Sequence, residues 1–133
     1  MKLIAPLFGA LACLVPLGAG LAAVHADPGL TALAAIERGE WQMRAPDGSV
    51  RALCVTDPQM LVQLQHRGAT CTRFIVENGP LGGRVTYSCP GIGTGSTRIV
   101  VETPRLIRIE SQGINRGMPF SFEYEGRRTG ACR

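Results

Sequence analysis

The stretch whose reading decides the fold is Val50 to Cys71, VRALCVTDPQMLVQLQHRGATC. Ser49 to Val55 reads as a strand carrying Cys54. Asp57 then stands where a helix N-cap belongs, and Pro58 at the first helical position gives up an N–H that would have no partner. Met60, Leu61 and Leu64 form an apolar stripe, leaving Gln59, Gln63 and His66 for the water side. Gly68 stops the helix and Cys71 opens the next strand. So short a helix is not stable alone and must be held by tertiary contacts.

Upstream, Thr31 to Arg38 carries apolar residues at roughly helical spacing with Gly39 as its stop. Glu40 to Arg44 alternates as a half-buried strand does, with Trp41 and Met43 on one face. Ala45-Pro46-Asp47-Gly48 supplies the turn of a first hairpin: Pro presets φ, Asp bonds the backbone and Gly accepts positive φ.

Downstream there are only strands and turns. Cys71 to Glu77 places Phe74 and Val76 on one face, and Asn78 to Gly83 is a turn cluster. Arg84 to Cys89 alternates, with Val85, Tyr87 and Cys89 on the apolar side. Pro90 to Gly95 reverses the chain, Thr103-Pro104 joins two further strands, and Gly113 to Pro119 turns again. Phe120, Phe122 and Tyr124 line one face of the last strand. Links this short suit antiparallel neighbours and not parallel ones. The pattern predicts a mainly β domain: an antiparallel meander of about seven strands, strongly curved or barrel-like, with one short inserted helix and two disulfides.

The first 26 residues are set apart from the fold. Met1-Lys2, an apolar run from Leu3 to Val24 and the small residues of Val24-His25-Ala26 read as a signal peptide cleaved after Ala26. An uncleaved membrane anchor is the rival, and Pro6, Pro16 and several glycines argue against it. A lipid anchor on Cys13 lacks the large aliphatic residue such sites carry. Residues 27–133 then form a single domain that does not span a membrane after cleavage.

Four of the five cysteines lie in that domain. An even number in an exported chain points to two disulfides. Three pairings exist. A helix that returns the chain beside its starting strand favours Cys54 with Cys71, which leaves Cys89 with Cys132. No two cysteines have the close spacing of zinc ligands, so no metal or other cofactor is expected. The net charge is +4, and Lys2 is the only lysine. Acids are interspersed among the arginines, which excludes the basic block that nucleic acid demands.

The C-terminal Gly126-Arg127-Arg128-Thr129-Gly130-Ala131-Cys132, taken with Pro28-Gly29-Leu30, Gly39-Glu40-Trp41, Cys54-Val55-Thr56, Cys71 and Cys89, resembles a bacterial family of exported proteins known as domain of unknown function 3617. The order and spacing of these short motifs, rather than any one of them, carry the resemblance. Thr31 to Arg38 departs from the family by separating the Pro-Gly-Leu from the Trp. The resemblance implies a periplasmic, disulfide-bonded β domain and brings no catalytic residues.

Catalytic candidates are few. His66 is the only histidine after cleavage, and near a helix C-terminus it suits a dipole partner better than a base. Gly91, Gly93 and Gly95 lack the strand-to-helix setting of a phosphate loop and read as a glycine-rich hairpin. Glu123 and Glu125 share a strand face, as a pair of glycosidase carboxylates would, but exposed acids on a strand are ordinary. Arg127 and Arg128 are a candidate anion site or, alternatively, a structural pair fixing the terminus. The expected function is a non-catalytic periplasmic binding or envelope-interaction protein. Trp41, Tyr87, Phe120 and Phe122, together with the two arginines, would receive a small apolar ligand or an envelope partner. The alternatives are an inhibitor of an extracytoplasmic enzyme, acting through a loop such as Gly91 to Ser96, and a carboxylate-based hydrolase.

Overall fold

The computed structural model describes residues 29–133; the expected signal segment, 1–26, lies outside them. A short 3-10 helix, Thr31–Ala35, precedes a hairpin of β1, Gly39–Arg44, and β2, Val50–Val55. A second 3-10 helix, Pro58–His66, leads to β3, Thr72–Gly79. Then follow β4, Gly82–Cys89; β5, Gly93–Thr103; β6, Leu106–Asn115; and β7, Met118–Gly130. All seven strands form one antiparallel sheet in the order β2-β1-β7-β6-β5-β4-β3.

Five strands are a meander, as expected. The first hairpin does not continue that meander from β3; it adds to the far side, with β1 against β7. β2 and β3 therefore end the sheet at opposite edges, and the sheet is open. The segment between them crosses the width of the sheet, about 29 Å for six inter-strand spacings laid flat. A 3-10 helix rises about 2.0 Å per residue against 1.5 Å for an α-helix, so it carries the chain farther for its length.

This crossing overturns the expected disulfides. Cys54 and Cys71 sit at opposite edges, and the bridges are Cys54–Cys132 and Cys71–Cys89. The helix does not return the chain to β2. Instead β7 brings the C-terminus to the hairpin, through Glu40 opposite Gly130, and places Cys132 by Cys54. Cys71 lies one step beyond the Thr72–Ser88 pair and so falls opposite Cys89.

The same crossing corrects the helix. Asp57 caps it as expected, its carboxylate accepting from the Gln59 N–H at 3.0 Å. Residues three apart eclipse one another in a 3-10 turn, and Gln63 breaks the helical backbone at φ −135°. Gln63 and His66, expected in water, are consequently buried beside Leu61, Val62 and Leu64. Gln63 is fully used there. Its Oε1 accepts from Arg73 Nε and Nη2 at 3.0 and 2.7 Å, and its Nε2 donates to the carbonyls of His66 and Ala69. Gln59 grips the segment leading into the first helix: its Oε1 accepts from the Leu30 N–H and its Nε2 donates to the Leu30 carbonyl, both at 3.0 Å.

β3 also faces the other way from expectation. Arg73 pairs with Tyr87 and Ile75 with Val85 across the ladder, which turns Arg73 and Ile75 inward and leaves Phe74 at 70% exposure. Because strand side chains alternate with period two, the Cys71–Cys89 bridge at the strand's start dictates the face of every residue up to the bulge between Ile75 and Glu77. The Arg73–Gln63 bonds satisfy the inward guanidinium. The bulge interrupts an edge that would otherwise offer a flat strand with exposed Phe74 and Val76.

The β6–β7 connection is tighter than the glycines and proline of 113–119 suggest. Arg116 and Gly117, at φ 50° and 80°, form a two-residue turn. Both strands run right up to it.

The core lies on one face of the sheet. Trp41, Met43, Val55, Val85, Ile99, Ile107 and Ile109 come from strands, and Leu30, Leu33, Leu61 and Val62 cover them from the two helices. Trp41 Nε1 donates to the Glu37 carbonyl at 3.0 Å, which satisfies the indole's one donor. Gly126 lets Met43 and Ile107 close over the strand; a Cβ there would come within 2.9 Å of both.

Peptide mapping without reductant should recover Cys54 linked to Cys132 and Cys71 linked to Cys89. The bridges span 78 and 18 residues. The chain-entropy relation then gives losses of about 4.5 kcal/mol for Cys54→Ala with Cys132→Ala and about 3 kcal/mol for Cys71→Ala with Cys89→Ala, read from urea unfolding.

Candidate functional site

The aromatic residues expected to receive an apolar ligand divide into two sets. Trp41 and Tyr87 are buried in the protein's own packing. Phe120 and Phe122 stay half-buried on β7 and stack with Tyr124, at ring separations of 6.0 and 4.9 Å along the strand. The Arg51 guanidinium lies 5.6 Å from the Tyr124 ring, a cation–π contact that closes one end of this row. The His66 ring closes the other, edge-on to Phe120 at 5.7 Å.

His66 anchors the crossing helix to the sheet. Its Nδ1 lies 3.0 Å from the Tyr87 hydroxyl, while its Nε2 is buried with no partner. Ser111 also reaches Tyr87, and its own hydroxyl is 2.7 Å from that of Thr97. Gly95 lies under the Tyr87 ring, where a Cβ would come within 2.4 Å of it. His66, Tyr87, Ser111 and Thr97 thus form a buried polar chain beneath the helix. All four are below a tenth exposed.

The arginine pair is taken up in structure. Arg127 Nε is 2.9 Å from Glu125. Arg128 Nε donates to the Arg38 carbonyl at 2.8 Å and is 3.4 Å from Glu37. These contacts fasten β7 to the segment before β1. Glu125 being paired with Arg127, the two carboxylates Glu123 and Glu125 do not act as a free pair. Glu123 instead lies directly opposite Glu110 on β6. Both are exposed to water, whereas a glycosidase acid is set in an apolar pocket.

What alternation in single strands did not reveal is a rung of charge running across four strands on the polar face. Arg84 stands opposite Arg98, Arg98 opposite Glu110, and Glu110 opposite Glu123. The next rung is Thr86, Ser96, Gln112 and Ser121, all hydrogen-bonding side chains. A groove of about 630 Å³ includes the whole charged rung and Gln112, with the β1–β2 turn at Asp47 as its lip. Asp47 is held in shape by Ser49, whose hydroxyl and N–H both donate to its carboxylate at 2.6 and 2.9 Å; these bonds keep the carboxyl below its ordinary range.

Elsewhere on this face arginines find carboxylates: Arg108 Nε is 2.7 Å from Glu102, as Arg127 is close to Glu125. The Glu102 hydrogen bond, with Glu125 and Glu123 nearby, holds the Arg108 guanidinium above its ordinary value. Among the described residues no ion pair joins any two of Arg84, Arg98, Glu110 and Glu123. Arg84 Nε is buried and without a partner. Pairwise register, rather than any local motif, is the signal that finds this rung, and it needs the strands aligned.

Among the described residues there is no cluster of His, Cys, Asp and Glu able to hold a metal, and no helix long and apolar enough to cross a membrane. Comparison of the chain with protein-family models, with curated proteins and with solved structures finds no match.

Burial pushes the Tyr87 phenol from its ordinary value of 10.0 up to about 12, against the opposing hydrogen bond of Ser111. Between those values the folded protein keeps a proton that the unfolded chain has released. Its contribution is whole below about pH 10 and is lost as the pH rises toward 12. Urea midpoints should therefore fall across that interval, and the fall should be shallower in Tyr87→Phe.

Proposed function

We propose that the protein is a non-catalytic binding domain of the bacterial periplasm, a member of the family known as domain of unknown function 3617, and that its recognition surface is the polar groove. The observation that carries this reading is the unpaired charged rung with its buried Arg84 Nε, set in a groove large enough for a small ligand. A signal peptide at 1–26 and two disulfides suit an oxidising compartment. The apolar face is covered by the protein's own helices, which favours a hydrophilic ligand over a lipid or acyl chain. Strong curvature of the sheet, with the charged rung in its hollow, would shape such a site.

Amide spectra recorded while low-molecular-mass periplasmic fractions are added test this reading. Shifts should gather on Arg84, Ser96, Arg98, Glu110, Gln112 and Glu123. Phe122 and Tyr124 also line the groove, so shifts confined to Phe120 and Arg51 would move the site to the aromatic row, and no saturable shift in any fraction would remove the binding reading.

A further inference from the structure

We propose that the groove takes a short peptide with both termini free, its carboxylate between Arg84 and Arg98 and its ammonium between Glu110 and Glu123. This rests on the groove being the recognition surface. Adjacent strands are spaced so that like charges placed directly opposite repel and destabilise the sheet. The rung holds two such pairs, Arg84 with Arg98 and Glu110 with Glu123, so it reads plus, plus, minus, minus across β4 to β7. A surface selected for stability alone would alternate the signs. The arrangement makes sense when an anion completes one pair and a cation completes the other.

The spacing chooses the ligand. The middle of the arginine pair is two strand spacings from the middle of the glutamate pair, about 10 Å. A free amino acid or a phospholipid headgroup carries its opposite charges only a few atoms apart and cannot reach both pairs. Three extended residues span about 10 Å, which places an N-terminal ammonium and a C-terminal carboxylate at the two ends. Two guanidiniums suit a carboxylate by charge-assisted hydrogen bonding, and the buried Arg84 Nε supplies a donor with no other partner. Gln112, from the neighbouring rung and lining the groove, offers both a donor and an acceptor to the peptide backbone. The Asp47 lip adds negative charge to the lining.

The test titrates the full disulfide-bonded domain with trialanine, N-acetyl-trialanine, trialanine amide and free alanine, following amide shifts. Trialanine should bind saturably at the groove residues, while blocking either terminus should weaken it about tenfold, as should Arg98→Gln or Glu123→Gln. Both substituted residues are exposed, and unchanged far-ultraviolet circular dichroism would confirm that the variants fold. Equal binding of the blocked and free peptides, or equal binding of free alanine, overturns the proposal. If no peptide binds while a periplasmic fraction still shifts the groove residues, the peptide is wrong and the groove stands. If neither shifts them, both readings fall.

Discussion

The chain between Val55 and Thr72 has to travel from one edge of a seven-stranded sheet to the other, and most of the structure depends on that passage. An open sheet with one apolar face cannot leave that face in water. Here the linking segment is the cover, assisted by the short helix at Thr31–Ala35. Its polar residues are therefore internal ties. Gln59 holds Leu30, Gln63 holds Arg73 and the turn that follows the helix, and His66 meets Tyr87. A side chain that looks solvent-facing in a helical pattern becomes a cross-brace when the helix lies on a sheet.

The two bridges close what the passage leaves loose. Cys71–Cys89 fixes the arriving end and with it the register of the β3 edge. Cys54–Cys132 joins the departing strand to the chain terminus, so the hairpin that was added to the far side of β7 cannot peel away. Removing either bridge frees one edge of the sheet, the part least supported by neighbours. A domain of this size buries only about two-thirds of its unfolded surface, and covalent ties at both edges compensate for a thin core.

With most of the apolar face covered by the chain itself, the opposite face is left to meet the surroundings. Its ordinary regions are neutralised by local pairs such as Arg108 with Glu102. The rung through Arg84, Arg98, Glu110 and Glu123 keeps like charges side by side instead, at some cost to stability. Local departures from what stability favours are characteristic of binding sites, and this one coincides with the groove and with an unpartnered buried nitrogen.

The sequence by itself determined the elements. The alternation in Glu40 to Arg44, Arg84 to Cys89 and Phe120 to Tyr124, the Pro46-Asp47-Gly48 turn and the Asp57-Pro58 start each follow from nearest-neighbour chemistry, and each is present in the fold. Period two and turn chemistry are local, so they survive whatever the rest of the chain does. The tertiary structure decided what depends on which strands become neighbours: the cysteine partners, the inward turn of Arg73, the burial of Gln63 and His66, and the alignment of four charges into one rung. Strand order is a long-range choice among arrangements that share the same local pattern. Here the segment between β2 and β3 both crosses the sheet and covers its apolar face.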